Sequence, residues 1–84
     1  KTREKRVTYF YNPENGKITS AEVVFEDDPT IVTDVYRYFM ERYELEENKD
    51  DVAFFNNGLD VAVKLYHQAG VGYTALYTPL EQRN

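Results

Sequence analysis

The sequence contains no cysteine and no tryptophan, and it has one histidine, one serine, three prolines and four glycines. Without cysteine the chain cannot form disulfides, thiol nucleophiles or cysteine-ligated metal sites. The glycines are scattered, so no glycine-rich phosphate-binding loop is present. No apolar run approaches the ~18 residues of a membrane-spanning helix, and none resembles a signal peptide. We therefore expect a cytoplasmic protein that does not bind membranes.

The chain has enough apolar residues to form a core. Of its 84 residues, 42% are hydrophobic and 15% are aromatic, whereas disordered chains are poor in aromatic residues. Eight tyrosines and five phenylalanines have to supply much of the core, because no disulfide is available to cross-link so small a domain. We expect a single domain over residues 1–84, with a flexible end at residues 1–5.

Charge is distributed unevenly along the chain. Fifteen acidic and ten basic residues give a net charge of −5. Residues 1–6 hold four basic residues and one acidic residue, a net charge of +3, whereas residues 26–51 hold ten acidic and three basic residues, a net charge of −7. Direct binding of DNA or RNA is not expected, because too little positive charge is present to neutralise phosphates. The acidic segment instead predicts attraction to a basic protein surface.

The first third of the chain predicts a β-hairpin. Residues 6–11 and 18–25 are rich in β-branched and aromatic residues, as strands are. The Asn-Gly pair at 15–16 suits a two-residue turn, which would place Phe10 opposite Ala21. One face of this hairpin would enter the core and the other would be partly wet or covered by a partner. The predicted core face comprises Thr8, Phe10, Ala21, Val23 and Phe25, and the other face comprises Val7, Tyr9, Tyr11, Ser20, Glu22 and Val24.

The same segment, residues 11–22, looks like an EF-hand calcium loop. The resemblance fails at the first and third positions of the loop, which must supply oxygen ligands but hold Tyr11 and Pro13. A hairpin accounts for the same residues without a metal, so no metal or other cofactor is expected. The positions that do match the calcium loop are Asn15, Gly16, Ile18 and Glu22.

An amphipathic helix is predicted over residues 29–45. Asp28 is a suitable N-cap, and Pro29 belongs at the first helical position, where its missing N–H costs nothing. The polar sequence that follows, residues 46–51, is expected to be a loop. The apolar stripe of the helix comprises Ile31, Val32, Val35, Phe39 and Tyr43, with Tyr36 at its edge.

The remainder of the chain leaves two element orders open. Residues 51–55 predict a short strand, and the last segment predicts a strand that ends at Pro79. Residues 58–69 fit either a helix or a strand. We favour the helix because Asn57 and Gly70 could cap it, whereas the strand would explain why successive side chains could alternate between two faces. The domain is therefore α+β, with the helix packed on a small, largely antiparallel sheet in the order ββαβαβ or ββαβββ. The second order resembles the layout of a β-grasp domain, and this resemblance of element order implies no function.

No constellation of residues predicts catalysis. His67 is the single histidine, and the single serine, Ser20, lies in the other half of the chain. A histidine activates a hydroxyl only when a third group orients it. The carboxylates fall in surface-type sequence, where nothing would shift their pKa. We therefore expect a protein that is not an enzyme.

The first functional hypothesis is a protein-binding module, an adaptor or a small inhibitor, whose acidic helix and loop contact a basic partner. A more specific version is that the carboxylates mimic a nucleic acid and block a nucleic-acid-binding protein. Tyrosine buries much area and keeps a polar tip, which suits it to interfaces. The predicted contact residues are Asp34, Tyr38, Glu41, Glu44, Glu46 and Glu47, with Tyr11 on a second exposed patch.

Two alternatives come from other classes of protein. The first is a self-associating structural subunit, in which the face of Val7, Tyr9 and Tyr11 or the final strand pairs with a second copy to form a homodimer. The second is a small-molecule binder or enzyme, which would require a deep pocket.

Overall fold

The computed structural model describes residues 4–80. Residues 1–3 of the predicted flexible end lie outside the described residues, whereas Glu4 and Lys5 belong to the first strand. The strands are β1 (Glu4–Tyr11), β2 (Ile18–Phe25), β3 (Glu44–Lys49), β4 (Val52–Asn56), β5 (Val61–Gln68) and β6 (Gly72–Pro79). A short 3₁₀ turn (Pro29–Ile31) leads into the helix α1 (Val32–Arg42).

In residues 4–80 the six strands form one antiparallel sheet in the order β1-β2-β6-β5-β4-β3. The α+β class and the antiparallel sheet are therefore confirmed. The element order is ββαββββ, which matches neither predicted order, and the β-grasp order is not reproduced because it lacks β3. Strand β1 lies at one edge of the sheet, and after α1 the chain enters at the opposite edge with β3 and returns strand by strand to the centre.

The predicted helix over residues 58–69 is wrong, because this segment is the strand β5. Asn57, taken as a helix cap, instead closes the β4–β5 hairpin: its Oδ1 accepts hydrogen bonds from the backbone N–H groups of Leu59, Asp60 and Val61. A side chain that can cap a helix can equally satisfy the N–H groups of a tight loop. Pairing with both β4 and β6 then selects the extended form.

The predicted loop at residues 46–51 is also wrong, because most of it belongs to strand β3. Asp50 and Asp51 form the two-residue turn to β4, with φ of 54° and 63°. Such a turn needs positive φ at both residues, and aspartate tolerates this conformation better than most side chains. The polar sequence of β3 reflects its place at the edge of the sheet, where every residue of the strand is exposed.

The β1–β2 hairpin is confirmed, but its register differs from the prediction by one residue. Tyr9, rather than Phe10, lies opposite Ala21. The turn is longer than two residues: the Asn12 N–H donates to the Lys17 carbonyl (2.8 Å), and four residues lie between them. This loop alone would move the pairing by two residues, and a β-bulge between Phe10 and Tyr11 reduces the shift to one. Because side chains alternate along a strand, the shift turns Thr8 and Phe10 away from the core, and the other strand keeps its predicted inward residues.

The core lies between α1 and one face of the sheet. Asp28 caps the helical segment by accepting a hydrogen bond from the Thr30 N–H (2.9 Å), as predicted. The predicted helical stripe packs inward, with Phe39 fully buried and stacked on Phe55 (ring centroids 5.6 Å apart). The buried core residues are Val23, Phe25, Ile31, Val35, Phe39, Ala53, Phe55, Val63, Leu65 and Ala75. Within residues 4–80, β1 contributes none of these core residues, so α1 does not pack on this edge strand of the sheet.

Candidate functional site

Three of the predicted contact residues lie on α1, where arginines accompany them. The Arg42 guanidinium lies over the Tyr38 ring, 3.9 Å from its centroid, and contacts Glu41 at 3.7 Å. Asp34 forms an ion pair with Arg37 at 3.4 Å. The helix therefore carries two acidic and two basic side chains, and its surface has no excess of negative charge. Tyr38 is 39% exposed, and the Arg42 guanidinium covers part of its ring.

The other predicted acids, Glu44, Glu46 and Glu47, lie on the edge strand β3. Glu44 is opposite Asn56 in the register, and the Glu46 Oε2 accepts a hydrogen bond from the Asn56 Nδ2 (2.9 Å). Asn56 lies on the face of the sheet opposite to Phe55, so these acids face away from the helix. The structure thus divides the predicted acidic surface into two groups on different sides of the sheet.

Tyr11 lies far from the acids of β3, on β1 at the other edge of the sheet. Five strand spacings separate the two edges, a distance of about 24 Å. Tyr11 is 63% exposed, and it lies opposite Ile18, which is 65% exposed. Its neighbours on the same face of β1 are Tyr9 and Val7, exposed to 61% and 43%.

We call the set of Val7, Tyr9, Tyr11 and Ile18 the β1 face. It continues into a shallow apolar groove of about 220 Å³, which Ala21, Val61, Tyr77 and Pro79 help to line. The sequence predicted Val7, Tyr9 and Tyr11 on a face that is partly wet or covered by a partner, opposite to the face of Ala21 and Val23. In the structure Tyr9 pairs with Ala21 and Val7 with Val23, so the prediction that Thr8 and Phe10 lie on the core face is wrong. The β1 face is the part of the helix side that α1 does not cover.

The two edges of the sheet differ in their chemistry. Strand β3 presents Glu44, Glu46 and Glu47, and such charges discourage pairing with another strand. Strand β1 is eight residues long, and within residues 4–80 no strand pairs with its outer side. Its charged residues are confined to the first three positions. The final strand, β6, hydrogen-bonds to β2 and β5 on its two sides, so it has no free edge in this sheet.

A cleft of about 420 Å³ lies on the helix side, near the start of α1. The side chains of Tyr36, Tyr73 and Asp51 line it, and burial, with smaller contributions from Asp51 and Tyr73, raises the pKa of Tyr36. His67 also lines the cleft, and its Nε2 lies 2.8 Å from the Asp27 Oδ1. Sequence analysis missed this site because its residues come from four separate segments; a double-aspartate turn was the only local signal.

The His67–Asp27 pair has the form of an oriented base. No serine or threonine lines the cleft among the described residues, and Ser20 lines the groove beside the β1 face instead. Within residues 4–80, no group of three or more His, Asp or Glu side chains is arranged to hold a metal ion. No helix in the same range is long and apolar enough to cross a membrane.

The function of these sites has to be inferred from their geometry. Comparison of the chain with protein-family models, with curated proteins and with solved structures gave no match.

Proposed function

We propose that the protein is a non-enzymatic protein-binding module that self-associates through strand β1. The observation that carries the proposal is an eight-residue edge strand whose hydrophobic side chains are exposed: Tyr9 and Tyr11 by more than three fifths, and Val7 by 43%. An unpaired edge offers a row of free backbone N–H and C=O groups to another strand. Exposed tyrosines next to such an edge bury large areas when the pair forms.

The distribution of side chains along β1 favours a second copy as the partner. Lys5 and Arg6 lie at the start of the strand, and Tyr9, Phe10 and Tyr11 lie at its end. Antiparallel pairing of two β1 strands would place the cations of each copy beside the aromatic rings of the other, an attractive contact. A contact of this kind is two-fold symmetric, which is the commonest arrangement of homodimers.

A lysine placed on β1 should abolish self-association. We expect the wild-type protein to change from monomer to dimer with concentration in sedimentation equilibrium, and Tyr9→Lys to remain monomeric, because the substitution places a hydrated charge in the pairing face. Leu59→Lys is the matched control: Leu59 is 69% exposed but lies in the β4–β5 loop, so this variant should dimerise normally. A monomeric wild type, or dimerisation of Tyr9→Lys equal to that of the control, would contradict the proposal.

The acidic edge supports a second candidate function, binding of a basic protein, with mimicry of a nucleic acid as its specific form. The supporting observation is that Glu44, Glu46 and Glu47 are all exposed on one edge and continue into Asp50 and Asp51 at the β3–β4 turn. Clustered carboxylates on a strand edge attract basic surfaces and speed encounter with them.

Salt and two pairs of variants test this second function. Capture of a basic partner at low salt should weaken steeply as salt is raised, because ion release and screening dominate such contacts. Glu44→Gln with Glu47→Gln should lose the partner, whereas Asp34→Asn with Glu41→Gln, on the charge-balanced helix, should retain it. Affinity that is indifferent to salt would exclude the mimic, and equal losses from the two pairs would show that β3 is not the contact surface.

A further inference from the structure

The cleft beside the start of α1 has the dimensions and side chains of a small-molecule site. Its volume of about 420 Å³ lies within the ~300–1,000 Å³ typical of such sites. Four separate parts of the fold build it: Tyr36 comes from α1, Asp51 from the β3–β4 turn, His67 from strand β5 and Tyr73 from the central strand β6. The cleft is therefore distinct from the β1 face, which lies on the part of the sheet that α1 leaves open.

The charges around the cleft select a cation over an anion. Asp51 lines it, and no lysine or arginine does so among the described residues. His67 also lines the cleft and could carry a positive charge, but its Nε2 lies 2.8 Å from the Asp27 Oδ1. The N–H groups at the start of the helical segment are also not aimed at an anion, because Asp28 caps them. An anionic ligand would meet the Asp51 carboxylate with no lysine or arginine beside it in the lining, whereas a cation would find a counter-charge.

The aromatic rings of the cleft are held in fixed positions. Tyr73 packs on His67, with ring centroids 4.8 Å apart, and the contact with Asp27 holds His67 in turn. Tyr36 packs edge-on against the buried Phe55 at 6.5 Å. Burial and the nearby Asp51 raise the pKa of Tyr36, so its ring stays neutral at physiological pH. The electron-rich faces of tyrosine attract cations, most strongly those with weakly hydrated alkylammonium groups.

We propose that this cleft binds a small organic cation, with an ammonium group held between Tyr36 and Tyr73 and with the Asp51 carboxylate as its counter-charge. The ammonium group can belong to a free quaternary amine or to a methylated lysine side chain, since both present the same chemistry. Asp27 and His67 act as positioning residues that fix the Tyr73 ring.

Titration with choline, followed by two-dimensional NMR of the amide groups, tests the proposal. We expect saturable shifts at Tyr36, Asp51 and Tyr73 and none at the β1 face. The neutral carbon analogue of choline, 3,3-dimethylbutan-1-ol, should bind at least about tenfold more weakly, because it keeps the shape and loses the charge. In a second arm, a trimethyllysine peptide and free trimethyllysine are compared with choline. Tighter binding of the peptide than of choline identifies a protein-borne ligand, and tighter binding of choline than of the peptide identifies a free amine.

Two variants of the same turn provide a matched pair. Asp51→Asn should weaken choline binding at least about tenfold, because it removes the counter-charge and asparagine accepts the left-handed backbone of this position. Asp50→Asn makes the same change at the neighbouring residue, which has the same backbone conformation but does not line the cleft, and should leave binding within about twofold. Absence of saturable shifts with choline and with the peptide, equal binding of the neutral analogue, or equal effects of the two variants would overturn the proposal.

Discussion

Replacing Phe39 with alanine should lower the free energy of unfolding by about 3–5 kcal/mol, since truncation of a buried phenylalanine removes apolar contact and leaves a cavity. Phe39 is 0% exposed, and its ring packs between the helix and the sheet against Phe55, Tyr43 and Tyr77, with centroids 5.6 to 6.0 Å away. A domain of this size has a total stability near the low end of ~5–15 kcal/mol. The variant should therefore be close to unfolded at room temperature.

The next residue of the same helix supplies the control. Met40 is 53% exposed, so Met40→Ala keeps the helix propensity and should change the stability by less than about 0.5 kcal/mol. Urea denaturation followed by circular dichroism measures both variants. Equal destabilisation by the two substitutions would show that α1 is not docked on the sheet through Phe39.

The second large effect is expected at Gly72, the first residue of β6. Its φ is 137°, and a Cβ at this position would collide with the Phe25 carbonyl oxygen of the neighbouring strand. Gly72→Ala should therefore destabilise the domain by about 3 kcal/mol, because two strands in the centre of the sheet would have to move apart. Thermal unfolding should show a large fall in Tm.

A substitution at Gly70 distinguishes the two causes of this loss of stability, which are the collision with Phe25 and the strain of a positive φ. It also has a positive φ, 80°, but nothing lies within 4 Å of a Cβ built on it. Gly70→Ala should thus cost only the backbone strain, about 1 kcal/mol. If the two alanine variants unfolded at the same temperature, the close approach of β6 to Phe25 would have no energetic weight.

The sequence predicted the residues of some of the proposed binding sites better than those of others. Alternation alone predicted that Val7, Tyr9 and Tyr11 share a face, whichever strand pairs with them. The sequence prediction put this face on the side away from the core, whereas the register puts Val7 opposite the core residue Val23. The acidic site was predicted as one surface, but the structure places Asp34, Tyr38 and Glu41 on the helix and Glu44, Glu46 and Glu47 on the far edge of the sheet. Nearness in the sequence did not become nearness in space, because the chain turns into a strand just after α1.

The cleft could not have been predicted from the sequence. Asp27 and His67 are 40 positions apart, and their contact depends on the pairing of β6 with both β2 and β5. Tyr36 and Tyr73 each fit equally well as residues that rim a small core. Only the packing of α1 on the sheet brings them to the same cleft as Asp51.

The sequence by itself determined the elements whose signals are local. Strands β1, β2, β4 and β6 follow from runs of β-branched and aromatic residues, and α1 follows from the Asp28 cap and the 3.6-residue spacing of its apolar side chains. The uneven distribution of charge is likewise a property of the chain alone.

The tertiary structure decided the features in which two local conformations have similar energies. Residues 58–69 fit a helix and a strand alike, and backbone pairing with β4 and β6 selected the strand. The acidic segment after α1 has little intrinsic preference for strand, and the open edge of β4 supplied its hydrogen bonds. The register of the first hairpin differs from the prediction by one residue because a four-residue loop is followed by a β-bulge between Phe10 and Tyr11. In the first two of these cases, hydrogen bonds and buried area contributed by other strands outweighed the small differences in local propensity.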